Sequence, residues 1–278
     1  MTALEAAAQV CELRAMSFSP DEVDRYARQL VLRELGGPGQ QRLKAARVGL
    51  VGAGGLGAPA ALYLAAAGVG TRRQIDPDTV AMSNLQRQVL FDMDDLGQAK
   101  TAAAADALAA LNPNVRVEPR PEALTPDNAL ALLDGCDLVL DGTDDFETRF
   151  AVNAACRALE IPLVSGAIGR WTGQVGVFAG RPCYRCLVPD VPPDAETCAV
   201  VGVVGALAGV IGSMMAVEAV KLIAGAGAAL SGRLLIYDAL AGESRTVRIA
   251  PDPDCPVCND GGWRTGFASR SAPKFKPD

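Results

Sequence analysis

Arg47-Val48-Gly49-Leu50-Val51 runs directly into Gly52-Ala53-Gly54-Gly55-Leu56-Gly57, and the Ala/Leu-rich stretch Ala58 to Ala67 follows. A short apolar run ended by glycine reads as a buried strand, and an Ala/Leu run of this length as a helix. The turn between them is G-x-G-x-x-G in the strand-turn-helix setting that gives the pattern meaning. Its glycines permit a tight turn and let the backbone approach a phosphate at the positive end of a helix dipole. Glycines here could also do no more than pack helix on strand. Asp76 weighs against that: it ends the next strand, Thr71 to Ile75, where a carboxylate can accept hydrogen bonds from ribose hydroxyls. Together they read as a nucleotide site, without choosing between NAD and ATP.

The surrounding sequence repeats this grammar. Ala99 to Leu111 predicts a helix closed by Asn112-Pro113. Val115 to Val117, Asp137 to Leu140 and Ile161 to Val164 predict strands, with helices over Pro126–Leu133 and Phe146–Leu159. Such alternation predicts an α/β, Rossmann-like, mostly parallel sheet covered on both faces. An N-terminal helix is expected over Asp21 to Leu35, started by Ser19-Pro20-Asp21 and broken by Gly36-Gly37-Pro38-Gly39. After Val164 the pattern changes. Gly173 to Phe178, Leu234 to Tyr237 and Thr246 to Ile249 predict strands around an apolar helix, Val210 to Ile223, giving an antiparallel C-terminal half. Residues 1–20 are expected to be a flexible N-terminus, 21–260 one domain, and 261–278 a polar tail that frays.

The 278 residues can bury a large core, and half of them are hydrophobic, so a globular chain is expected. The net charge of −6 excludes a general affinity for nucleic acid or for anionic membrane. Met1 to Val10 carries no basic residue before its alanine run, so no secretory signal is read and a cytoplasmic location is expected. Val200 to Ile223 has the length of a membrane span, but its glycines, Glu218 and Lys221 favour a loop entering a buried helix.

The residues that bear on chemistry follow the nucleotide site in order. Ser83-Asn84-Leu85-Gln86-Arg87-Gln88 and Gly97-Gln98-Ala99-Lys100 put cations near the carboxyl ends of the strands. A dehydrogenase has no need of Arg87 and Lys100 there, whereas a nucleotidyl transferase must neutralise phosphates and departing pyrophosphate. Asp141-Gly142-Thr143-Asp144-Asp145 ends another strand on the same edge, and can either hold Mg2+ or serve as turn chemistry. Among eight cysteines, Cys183/Cys186 and Cys255/Cys258 form two C-x-x-C pairs that could complete a tetrahedral structural zinc site, with a redox pair as the alternative. Cys198 precedes a Gly-rich helix entry, where a thiol is either an activated nucleophile or a small core residue. There is no histidine, so no mechanism needing a His base or ligand applies.

The ordered set R-Y-A-R-Q, GAGGLG, D-P-D-x-V-x-x-S-N-L-Q-R-Q, G-x-x-K, D-G-T-D, C-Y-R-C, T-C and C-P-V-C resembles the bacterial ThiF/MoeB/HesA adenylyltransferases, relatives of the ubiquitin-activating enzymes. The resemblance runs from about Asp21 to Asn259, and Gly57-Ala-Pro-Ala-Ala-Leu-Tyr-Leu leans toward the ThiF side. It implies that ATP is used to adenylate the C-terminal Gly carboxylate of a small ubiquitin-like sulfur-carrier protein, releasing pyrophosphate. Gly52, Gly54, Gly55 and Gly57 would then cradle ATP and Asp76 its ribose. Asn84, Arg87 and Lys100 would contact phosphates, and Asp144 would bind Mg2+. Arg28 matches an arginine that reaches into a partner subunit's site, which implies a homodimer. The paired cysteines match structural zinc ligands, and Cys198 matches a cysteine that some members link covalently to the carrier.

The chain departs from the family pattern at Gly142 and Asp145, where D-C-T-D-N is usual, and at Ala206, where proline is common. The extra carboxylate of Asp145 could alter cation affinity. A sulfurtransferase segment is not read after Asp260, so a separate sulfur donor is expected. An NAD(P)-dependent oxidoreductase would explain only GAGGLG and Asp76. An inactive scaffold would predict losses at phosphate-contacting positions, and none is found.

Overall fold

The computed structural model describes residues 18–192 and 202–259 and opens with two helices, α1 (Pro20–Leu30) and α2 (Gly36–Ala45). The Rossmann-like core follows as β1 (Arg47–Val51), α3 (Gly57–Ala66), β2 (Thr71–Ile75), α4 (Lys100–Leu111) and β3 (Arg116–Arg120). It continues through α5 (Ala129–Leu133), β4 (Leu138–Asp141), α6 (Phe146–Ala158) and β5 (Leu163–Gly169). The C-terminal half holds β6 (Thr172–Phe178), the short α7 (Tyr184–Leu187), the long α8 (Gly205–Ala224), β7 (Arg233–Asp238) and β8 (Glu243–Arg248). All eight strands form one sheet in the order β3-β2-β1-β4-β5-β6-β7-β8. The first five pair in parallel and the last three antiparallel, as the change in sequence pattern predicts.

Two apolar layers hold the sheet. On one face Leu64 of α3, Leu108 of α4 and Ile211 and Met215 of α8 are buried; on the other, Leu133 of α5 and Val152 of α6 close over Val139 and Leu163. Helix α8 is long and apolar enough to cross a membrane by length and composition, yet here it lies against α3, β5 and β6 with half its apolar window buried. A Cβ at Gly212 would run into the Leu56 carbonyl and the Pro59 ring, so the glycine lets two backbones meet. The strand order reverses between β1 and β4, which are parallel neighbours: β2 and β3 lie on one side, β5 on the other. Ligands of open α/β sheets bind at such a switch point, beyond the carboxyl ends of the strands.

The N-terminal helix differs from expectation. It begins with a capping box in which Glu22 N–H donates to Ser19 Oγ at 3.2 Å and Ser19 N–H to Glu22 Oε2 at 2.8 Å. It stops at Leu30, five residues early, in a turn where Gly36 N–H reaches the Leu32 carbonyl. Gly36-Gly37-Pro38-Gly39 then opens α2 and does not merely break a helix. Proline is tolerated in a first turn, whose N–H groups lack intrahelical partners. Buried Leu43 and Gln40, whose amide donates to the Ala67 carbonyl at 2.8 Å, hold the rest.

Strand β2 buries Arg72, Arg73 and Gln74 in a setting that usually reads as continuously apolar. Arg73 is satisfied by the carbonyls of Leu132 and Asp134, at 2.7 and 2.9 Å, and by Glu118. Arg72 points to the opposite face, fully buried; none of its three guanidinium nitrogens has a hydrogen-bond partner, and burial brings its pKa down to about 10. Replacing a buried, poorly compensated ion by an apolar side chain of similar size is often stabilising. Arg72→Leu is therefore expected to raise stability by about 1–4 kcal/mol, read from the midpoint of urea unfolding. A lower midpoint would contradict this reading of the site.

Candidate functional site

The loops after β1 and β4 face one another across a cavity of about 660 Å3, the size of a small-molecule site. The first loop turns because Gly52 takes φ +90, a conformation glycine accepts at no steric cost. A Cβ at Gly57 would overlap the Gly52 carbonyl, so the N-terminus of α3 can fold back tightly onto the strand end. Gly52, Gly54 and Gly55 line the cavity; Gly57 shapes the turn behind them.

Asp76 ties this loop to the end of β2. One carboxylate oxygen accepts the Ala53 N–H at 2.6 Å and the other accepts the Asp78 N–H at 2.9 Å. Burial pushes the Asp76 carboxyl up from its ordinary value, against those two bonds and the charge of Lys100. Lys100, the first residue of α4, is buried, and its ammonium reaches the exposed Asp78 carboxylate at 2.8 Å. Arg87 donates to the Ser83 carbonyl at 3.0 Å, and the Asn84 amide oxygen accepts the Ala81 N–H at 3.1 Å. Asp76, Asn84, Arg87 and Lys100 all line the one cavity.

On the facing loop the acidic residues divide into distinct roles. Asp141 is fully buried and accepts both the Thr143 N–H, at 3.0 Å, and the Thr143 hydroxyl, at 2.6 Å. Asp145 caps α6 by accepting the Thr148 N–H at 2.7 Å. Asp144 is exposed at the cavity wall, where its carboxylate can meet a cation. Gly142 approaches the first loop closely: a Cβ there would press on Leu56 and on the Gly57 N–H.

Several lining residues were not singled out from sequence. Gln88 is buried with its side-chain oxygen unpartnered. Arg149 of α6, 5% exposed, donates to the Gly166 carbonyl at 2.8 Å and to the Thr143 carbonyl. Tyr184 lies beneath it, ring centroid 6.0 Å from the guanidinium carbon. The only signal for Arg149 lies beyond its immediate neighbours: at helical spacing it shares a face with Val152, Asn153 and Cys156, all buried. Arg28, by contrast, is exposed on α1 and does not line the cavity of the single chain. Cys198 lies outside the described residues, as do the expected tail 261–278 and the expected N-terminus 1–20 apart from residues 18–20, where Ser19 caps α1.

The sulfurs of Cys183, Cys186, Cys255 and Cys258 lie within 4.8 Å of one another. Cys183 and Cys255 are 3.6 Å apart and Cys186 and Cys258 3.3 Å, too far for disulfides. Tetrahedral thiolates at a zinc–sulfur length of about 2.3 Å would sit about 3.8 Å apart, so the four fit such an ion. Asn153 donates to Cys183 Sγ at 3.7 Å, a supporting contact of the kind that orients ligands.

A parallel sheet with a switch point, a glycine turn closed by a buried carboxylate, and cations facing the same cavity define a Rossmann-type nucleotide-binding domain. The chain belongs to the ThiF family, whose profile matches residues 26–257. It is 48% identical over 254 residues to the sulfur carrier protein adenylyltransferase of Thermus thermophilus, covering 88% of this chain and 94% of that protein. It is 45% identical over 244 residues to the molybdopterin-synthase adenylyltransferase of Escherichia coli, covering 87% and 98%. In structure it is similar to Escherichia coli MccB, with TM-score 0.76 at 21% identity over 92% of this chain and 77% of that one; this likeness concerns the fold.

Two outcomes are expected of variants. Asp76→Ala frees two loop N–H groups, and Asp76→Asn satisfies only one, since its amide NH2 faces the other donor. Each should lose about 1–3 kcal/mol per buried unpaired group in urea unfolding, and ATP affinity with it. Metal analysis of the purified chain should find one thiophilic ion per chain, lost together with thermal stability in Cys255→Ser. A metal-free chain of unchanged melting temperature would remove the ion from the account.

Proposed function

We propose that the chain uses ATP to adenylate the C-terminal Gly carboxylate of a small ubiquitin-like sulfur-carrier protein. The observation that carries this is the convergence of Asp76, Asn84, Arg87 and Lys100 on one cavity, in a chain 48% identical to a sulfur carrier protein adenylyltransferase. Neither an oxidoreductase nor an inactive scaffold accounts for that set.

In this reading the glycine turn and the N-terminus of α3 receive the triphosphate, and Asp76 accepts from the ribose. A carrier carboxylate oxygen attacks the α-phosphorus. The bond from that phosphorus to the bridging oxygen breaks, and pyrophosphate leaves opposite the nucleophile. The carboxylate is already deprotonated, so no general base is needed and the lack of histidine has no cost. Arg87, Lys100 and Asn84 hold the phosphates and offset the charge gathering on the leaving group, so that catalysis comes from positioning and electrostatics. Mg2+, held through Asp144, would neutralise phosphate charge when bound. Sulfide-level sulfur from a separate donor then attacks the acyl carbon, the bond from that carbon to the phosphate oxygen breaks and AMP leaves, giving a thiocarboxylate, as in thiamine or molybdopterin biosynthesis.

The remaining assignments follow from the same reading. The Cys183/Cys186/Cys255/Cys258 cluster holds a structural Zn2+, and four free thiols in register favour a reducing, cytoplasmic setting. Arg28, exposed on α1, serves the partner's site in a homodimer. Cys198 is the residue that would link covalently to the carrier. Residues 21–260 act as one adenylation domain.

ATP–pyrophosphate exchange with Mg2+, against a panel of carriers ending in Gly-Gly, tests the proposal. Exchange with one carrier, falling at least roughly a hundredfold in Arg87→Ala and in Asp144→Ala, is expected. Silence with every carrier, together with tight NAD binding, would overturn it.

A further inference from the structure

Asp144, exposed at the cavity wall, owes its placement as a cation ligand to its neighbours. Thr143, just before it, is held from both sides. Its N–H and hydroxyl donate to the buried Asp141 carboxylate, at 3.0 and 2.6 Å, and its carbonyl accepts from Arg149 Nη2. The same guanidinium donates to the Gly166 carbonyl at 2.8 Å and, through Nη1, to Ser165 Oγ at 3.3 Å. Arg149 therefore joins the β4 loop to β5 with bonds that a lysine, a point charge without the planar fork, could reproduce only in part.

Burial opposes the charge on Arg149, but Asp141, then Tyr184, outweigh it and keep the guanidinium protonated. Tyr184 is itself wedged between Phe178 and Phe150, at centroid distances of 5.6 and 6.1 Å. Its N–H donates to Asn153 Oδ1 at 2.9 Å, and the Asn153 amide donates to Cys183 Sγ. An unbroken set of contacts thus runs from the cysteine cluster through Asn153 and Tyr184 to Arg149, Thr143 and the cavity wall at Asp144.

We infer that Arg149 is a positioning residue: it sets the backbone that presents Asp144 to the cation–triphosphate, and Tyr184 braces it against the cysteine cluster. This rests on the adenylation reading above and assigns Arg149 no contact with substrate, since its guanidinium bonds to Thr143, Ser165 and Gly166. A loop released from this clamp would still bind the nucleotide through the glycine turn and Asp76, but would hold the cation poorly. The loss should therefore be specific to Mg2+.

The test compares Arg149→Lys, Tyr184→Leu and the double variant with the parent chain, using melting temperature and bound-metal content as controls on folding. Calorimetric titration with ATP, with and without added Mg2+, is the first readout. Exchange kinetics at varied Mg2+ and ATP are the second. Arg149→Lys is expected to leave metal-free ATP binding intact and to raise the Mg2+ concentration for half-maximal exchange roughly tenfold or more, with a smaller effect on kcat. Tyr184→Leu should shift it the same way but less, and the double variant should be no worse than Arg149→Lys, because one chain of contacts is cut twice.

Wild-type Mg2+ dependence in a folded Arg149→Lys chain, or additive effects in the double variant, would overturn the inference. Should Arg149→Lys fail to fold, Tyr184→Leu decides alone: a normal Mg2+ dependence in that chain counts against the proposal. If the parent chain shows no exchange, the adenylation reading fails by itself, while the Mg2+ effect on ATP affinity still reports on the clamp.

Discussion

A single carboxylate organises the nucleotide half of this molecule. Asp76 accepts one N–H from the loop after β1 and one from the loop after β2, so two segments 23 residues apart in sequence are locked at the switch point of the sheet. Without the first of them the buried Ala53 N–H of the glycine turn would be an orphaned donor, costing more than an ordinary hydrogen bond contributes. The geometry also explains why the residue must be an acid. Only a carboxylate offers acceptors on both oxygens while keeping lone pairs for a ribose. Burial opposes its ionisation, and the two backbone donors with Lys100 nearby work the other way.

Much of the cavity was legible because its parts are local. The turn from Gly52 to Gly57, the carboxylate at Asp76, and Arg87 and Lys100 each belong to a short motif whose spacing carries its own geometry. Arg149, Tyr184 and Gln88 were not legible in that sense. Each reaches the cavity through packing between elements distant in sequence, and nothing local in F-E-T-R-F says that the arginine points inward. The N-terminal region failed for a related reason. Glycine and proline at 36–39 are a break signal for the helix before them and a permissible first turn for the helix after them. Local propensity cannot rank the two, and the buried anchors Gln40 and Leu43 decide it.

The departures Gly142 and Asp145 make physical sense once the loop is seen. Asp145 spends its carboxylate on the N-cap of α6, where asparagine and aspartate serve about equally well. The extra negative charge also sits favourably at a helix N-terminus. Gly142 meets the first loop at a point where a side chain would press on Leu56 and Gly57. Three acids in five residues thus serve different ends: a buried hinge, a free carboxylate and a cap.

Lys100 shows how the same site is prepared for an anion. Its side chain is 6% exposed, and an ammonium so buried is costly unless it has a partner. Asp78 supplies one at 2.8 Å while remaining 64% exposed itself, so that carboxylate can regain water when the pair opens. On the adenylation reading, a phosphate entering the cavity offers Lys100 a denser negative charge, and Asp78 gives up its partner at little cost because it is solvated. The exchange of partners conserves the buried charge balance at every stage. The ion pair therefore holds the cation in place before the substrate comes, which is the condition for electrostatic stabilisation that needs no reorganisation during the reaction.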